Sequence, residues 1–281
     1  MNYPSILVPL DHQPECVART RAVLALAKTM GSYVTGVAPT EVLDLRANLR
    51  LASTVASLPL LGRDVLLEDA TRAALAFDVA CELAGVTGRK TVVEDSDMST
   101  ALNRRGRVND LLVLTQSDPR ANDGQAFGNP QIETTILASA RPVIVLPYAN
   151  AVDTLGTRVL VAWDDSPAAA RAIADALPLL RRAAAVHVML FNRDSPEDEG
   201  GLSSDLSSVA EWLARHGVSA RTQVEITSIK VGEALLSRVA DLGADLIVMG
   251  AFGHARWRER ILGGTTRDVL GSMTVPVLMS H

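Results

Sequence analysis

Short, continuous apolar runs recur along the chain, separated by longer stretches in which apolar residues return every three or four positions. In the second half the runs are "RVLVAW" at 158–163, "AVHVMLF" at 185–191, "SARTQVEIT" at 219–227, "DLIVM" at 245–249 and "VPVLMS" at 275–280. Between them lie predicted helices over 167–182, about 203–216, 232–242 and 265–272, the first opening with Pro167, which suits a first helical turn. Unbroken apolar runs mark strands covered on both faces, so the pattern predicts a parallel sheet flanked by helices.

The first half repeats the order. "ILVPLD" at 6–11 matches "VLVAWD" at 159–164, "DLLVLT" at 110–115 matches "DLIVMG" at 245–250, and "RPVIVLP" at 141–147 matches "VPVLMSH" at 275–281. Two homologous α/β domains in tandem are therefore expected: 1–148, a linker at 149–157, and 158–281. Each is a doubly wound five-stranded parallel sheet, and the two are related by a pseudo-two-fold axis through their fifth strands, apolar edges that need cover. Region 40–86 reads as a long helical insertion that accounts for the first half's extra length.

Length and composition agree. A chain of 281 residues accommodates two cores, and 48% hydrophobic with 21% charged residues is ordinary for a soluble globular protein. The net charge of −5 argues against a non-specific nucleic-acid binder. The start "MNYPSILVPLD" has no basic region ahead of an apolar core, so a signal peptide is not expected. No apolar stretch reaches the ~18 residues of a membrane span. Cys16 and Cys81 show no metal or redox spacing, which fits a reduced, cytoplasmic chain.

In an open doubly wound sheet a ligand binds at the carboxyl ends of the strands, where strand order reverses. Asp164 ends the first strand of the second half and Gly250 ends the fourth; as neighbours they would share one crevice. The stretch "GAFGHARWRERILGGTT" at 250–266 then runs from that strand to a helix start. Gly250 and Gly253 allow close backbone approach. Gly263 and Gly264 lead into a helix N-terminus whose free N–H groups and dipole favour an anion such as phosphate, with Thr265 and Thr266 as further donors. A glycine-rich surface loop without a ligand is the plainer reading; the position of these glycines at the ligand edge favours a phosphate-bearing ligand.

The spacing Gly250-x2-Gly253-x9-Gly263, together with "VLVAWDDSP" and "TVPVLMSH", resembles the universal stress protein family, and nearly the whole chain outside 40–86 is similar to a tandem member. The resemblance implies an adenine-nucleotide α-hydrolase-like fold and a site for ATP, or for ADP or AMP, with Mg as an optional companion. It implies Asp164 by the ribose and adenine, Ala162 beside it, Val188 at the end of the second strand against the base, and Met249 and Gly250 along the ribose. Gly253, Gly263 and the residues that follow would cradle the phosphates. The family usually carries Ser or Thr directly after the third glycine, where this chain has Gly264; Thr265 or Thr266 would have to replace that contact. In the first half, Thr115 and Asp118 stand where Gly250 and Gly253 stand in the second. A carboxylate beside phosphate is unfavourable, and Asp123 and Pro130 weaken that loop further. One nucleotide per chain, in the second domain, is expected.

Three functions compete. The first is an ATP-binding stress-response or signalling protein, at most a slow ATPase, acting without nucleic acid or membrane as an intrachain pseudo-dimer, with a homodimer also open. The second is an adenylating enzyme, disfavoured because "WDDSPAAA" has no glycine where a pyrophosphate loop would sit. The third is a dimerisation module with no ligand. Arg256, Arg258 and Arg260 read as a solvated loop face, His254 as an exposed histidine, and His187 as a packed strand residue. Asp165 and Ser166 read as helix caps. His216 and His281 have no partner in view, no metal cluster is evident, and no catalytic residue is assigned.

Overall fold

The protein is described by a computed structural model covering residues 2–41, 58–116, 130–149, 152, 154–192, 199–252 and 264–281. It divides into two compact units, Asn2–Thr115 and Gln116–His281.

The first unit runs β1 (Ser5–Pro9), α1 (Glu15–Met30), β2 (Tyr33–Pro39), α2 (Leu58–Ala84), β3 (Arg89–Glu94), α3 (Met98–Gly106) and β4 (Leu111–Thr115). Its strands lie in the order β3-β2-β1-β4, all parallel. Ile6, Leu7 and Val8 of β1 and Leu111 and Leu112 of β4 are fully buried, as expected of strands covered on both faces. Such side chains contribute ~1.5–3 kcal/mol each on burial. α1 ends at Gly31 in the left-handed conformation, its N–H on the carbonyl of Ala27. α3 is capped by Asp97, which accepts from the N–H of Thr100 at 2.9 Å. The helix expected as an insertion over 40–86 is the β2–β3 crossover: parallel neighbours need such a connection, and α2 supplies it. Residues 42–57 of that stretch lie outside the described residues.

The second unit comprises α4 (Pro130–Ala138), β5 (Val143–Leu146), β6 (Arg158–Trp163), α5 (Pro167–Leu180), β7 (Ala185–Asn192), α6 (Glu199–Arg215), β8 (Ala220–Ile226), α7 (Val231–Leu242), β9 (Leu246–Gly250), α8 (Gly264–Ser272) and β10 (Val277–Ser280). The strand order is β5-β10-β9-β6-β7-β8. Pairing is parallel throughout except between β5 and β10, which run antiparallel with Val277 opposite Val145 and Met279 opposite Val143. The pairing expected of the two fifth strands is thus present. It also explains why the boundary between units falls after Thr115, ahead of the linker expected at 149–157. β5 hydrogen-bonds to β10, and the N–H of Gln116 donates to the carbonyl of Leu146 at 2.8 Å.

α5 turns a face of alanines inward, with Ala168, Ala169, Ala172 and Ala176 all buried. Short side chains let this helix lie close against β6, β9 and β10. Its N-cap is Ser166, whose Oγ accepts from the N–H of Ala169 at 3.1 Å.

Candidate functional site

β6 and β9 are hydrogen-bonded neighbours, and the chain order reverses between them: β7 and β8 lie on one side, β10 on the other. The carboxyl ends of β6 and β9 therefore flank the switch point of the second sheet, and Asp164 and Gly250 do meet at one edge. The exposed carboxylate of Asp164 accepts from Ser166 at Oγ (2.6 Å) and at N–H (3.1 Å). This fixes the carboxylate on the turn into α5. Of the two residues expected as caps, only Ser166 caps α5; Asp165 holds φ 57°, a left-handed conformation unusual outside glycine.

Register decides which side chains share a face. Ala162 lies opposite Met189 on β7 and Met249 on β9, so these three point to one side of the sheet. Val188 pairs with Val161 and is completely buried. It is one residue out of phase with that row, hence on the other face, and the strand continues beyond it to Asn192. Val188 therefore does not end β7 and does not border the crevice. Phe191, two residues past Met189 and half-buried, occupies the place assigned to it. Counting the strand to its true end is the signal that would have found Phe191.

Gly250 has a structural cause apart from any ligand. A Cβ there would stand 2.5 Å from the backbone N of Ala169 and 2.7 Å from the carbonyl carbon of Ala168. The close approach for which glycine is needed is that of α5's first turn. Among the described residues, a Cβ on Gly264 meets nothing within 4 Å at the start of α8. There the first N–H groups of the helix have no intrahelical acceptor.

Thr265 is half-exposed at that helix start, whereas Thr266 is buried. The Oγ1 of Thr266 accepts from the N–H of Phe252 at 3.3 Å, so this threonine clamps the strand's exit. Phe252 holds φ 61°, a strained conformation for a bulky residue that persists only where the surroundings enforce it. Here they do: its side chain is buried, with its ring edge-on to His281. His281, expected to be without a partner, places Nδ1 3.0 Å from the carbonyl of Ala251. On the flank of α8, Gln116 Nε2 donates to the carbonyl of Leu270 at 2.7 Å and Arg267 lies 3.5 Å from buried Glu133. Gly253, Gly263, His254, Arg256, Arg258 and Arg260 lie outside the described residues, as do Asp118 and Asp123. His187 sits in β7, where burial, then Arg221 and Arg158, hold its imidazole below its usual range.

The corresponding edge of the first unit is occupied from within. Arg19 of α1, buried with its side chain 4% exposed, places Nη2 2.6 Å from Asp11. Its Nε donates to the carbonyl of Pro9 at 3.1 Å and its Nη1 to Thr115 Oγ1 at 3.2 Å. One guanidinium thus ties the ends of β1 and β4 together. α5 has alanines along its buried face at that level.

Residues 157–281 match the Universal stress protein family. The second half of the chain is thus similar to that family. A curated universal stress protein of Synechocystis sp. is 27% identical over 178 residues, which span 60% of this chain and 57% of that relative's length. A universal stress protein from Archaeoglobus fulgidus, 18% identical, covers 100% of this chain and 99% of its own with a TM-score of 0.76. The whole chain accordingly has a universal stress protein fold. Another Archaeoglobus fulgidus family member, solved in complex with dAMP, is 22% identical over 43% of this chain and 94% of its own, with a TM-score of 0.37.

Proposed function

We propose that the second domain binds one adenine nucleotide, ATP or its ADP and AMP relatives, across the carboxyl ends of β6 and β9, in a stress-response or signalling role. The observation that carries this reading is the pairing of an exposed, oriented Asp164 at the sheet's switch point with a helix start at Gly264 that is clear of other described residues. A carboxylate suits ribose hydroxyls, and free helix N–H groups suit phosphate. Ala162, Met249 and Phe191 offer an apolar face to the base. Gly253 and Gly263 belong to the same proposed cradle on the strength of the sequence pattern.

No group of three or more His, Cys, Asp or Glu stands ready to hold a metal among the described residues. A Mg ion would come with the nucleotide, held chiefly by phosphate oxygens and water. The first domain binds no nucleotide in this reading, because Arg19 fills the place between Asp11 and Thr115.

Isothermal titration of nucleotide-stripped protein with ATP, ADP and AMP tests the proposal. One site per chain is expected, weakened in Asp164→Ala. Two equivalent sites, or no heat with any of the three, would overturn it.

A further inference from the structure

The first unit holds a cavity of about 710 Å³ between α1 and α2, apart from the proposed nucleotide site. Its volume is that of a small-molecule pocket, ~300–1,000 Å³. Leu10, Leu24 and Phe77 form a buried apolar floor. On α2 the wall is Ala73, Ala76, Ala80 and Ala84, side chains too short to close the gap between the helices. At its two ends Val17 and Leu83 are 70% and 86% exposed. Apolar surface gathered in this way, rather than scattered singly, marks a place that gains from being covered.

The charge along the trough identifies the cover. Asp11, the one carboxylate lining it, is already paired with Arg19. Arg21 and Lys28 also line it, both exposed, and neither has a hydrogen-bond or ion-pair partner among the described residues. The trough follows α1 from Cys16 to Lys28, which at 1.5 Å per residue is about 18 Å. A long apolar groove with an uncompensated basic wall fits an anion with an unbranched apolar tail.

We propose that the α1–α2 trough is a second, independent site that takes a free fatty-acid-type monocarboxylate, its tail along the alanine wall and its head on Arg21 or Lys28.

The test is calorimetric titration of the full chain with octanoate, decanoate and dodecanoate, each below its self-association concentration, with light scattering on the same samples. Affinity should rise about fourfold per added methylene. Arg21→Glu with Lys28→Glu should weaken binding about fivefold or more. Ala76→Leu with Ala80→Leu should abolish it by filling the trough; Ala76 is exposed and Ala80 half-buried on a helix, and leucine is a good helix former. ATP titration on the same variants should be unchanged, so the outcome is independent of the nucleotide reading. Binding that ignores chain length, survives both double variants, or is absent for all three acids would overturn the proposal. So would a wild-type dimer that the alanine-to-leucine pair converts to monomer, since the trough would then be an interface between copies.

Discussion

Gly250→Ala should damage the protein before any ligand is added. The new Cβ would meet the backbone N of Ala169 at 2.5 Å, the carbonyl carbon of Ala168 at 2.7 Å and the Cβ of Ala168 at 2.9 Å. Carbon contacts rest at about 3.5–4.0 Å, so the first turn of α5 would have to retreat by about 1 Å. Two of the three obstacles are main chain and cannot rotate aside, which puts the cost near the upper end of overpacking, about 3 kcal/mol. The retreat carries Ser166 with it, and Ser166 holds Asp164 at 2.6 Å, so nucleotide affinity should fall as well. Urea unfolding of the ligand-free protein reads the first effect, and titration at a temperature where the variant is folded reads the second. Gly264→Ala is the contrast: with no described residue within 4 Å of its Cβ it should be neutral or stabilising by up to about 1 kcal/mol. If Gly250→Ala unfolds at the wild-type urea concentration, the packing argument for this glycine is wrong.

Gly264→Ser should fit without strain and add a hydroxyl at the helix start, tightening ATP binding by about threefold to tenfold, a typical hydrogen bond's worth; unchanged affinity in titration would show that phosphate does not reach this point. Arg19→Ala should destabilise the first unit by about 3 kcal/mol by stranding Asp11, measured by denaturation, and should not create a second nucleotide site. Asp97→Ala should cost about 1 kcal/mol at neutral pH through the lost cap of α3. Burial raises the Asp97 pKa, but its hydrogen bonds from Thr100 outweigh this and hold it below the usual value. Its stabilisation is therefore present above pH ~3.9 and lost as pH falls from there through the lower folded value; Asp97→Asn should keep the cap and flatten that part of the stability profile. ATP turnover, followed by phosphate release, should stay well below the ~1 per second of a dedicated enzyme.

Local pattern made much of the fold legible. The apolar runs of β6, β9 and β10 and the Ser166–Pro167 helix start are statements about neighbours in sequence, and the chain honours them. What escaped were facts about neighbours in space. Gly250 reads as a ligand glycine until Ala168 and Ala169 are seen against it. Val188 reads as a strand end because such an end has no local marker, and one step of register reverses its face. Arg19 sits in "ECVARTRAVLALAK" like any helical surface charge, and only the meeting of β1 with β4 shows what surrounds it. The left-handed backbone of Phe252, a bulky buried residue, is imposed by packing, not by its own preference.

Arg19 also makes the two edges respond differently to their surroundings. A crevice whose polar groups are satisfied by the chain itself has no term in its folding equilibrium for the concentration of a small molecule. A crevice that takes a ligand does, and under the proposed function the second unit's gains RT ln(1 + [L]/Kd), about 2.7 kcal/mol at a hundredfold excess over Kd. Within one polypeptide, then, one unit would report cellular nucleotide in its own stability and resistance to unfolding. The other, carrying a covalently tethered substitute for a ligand, would hold constant as that concentration rose and fell.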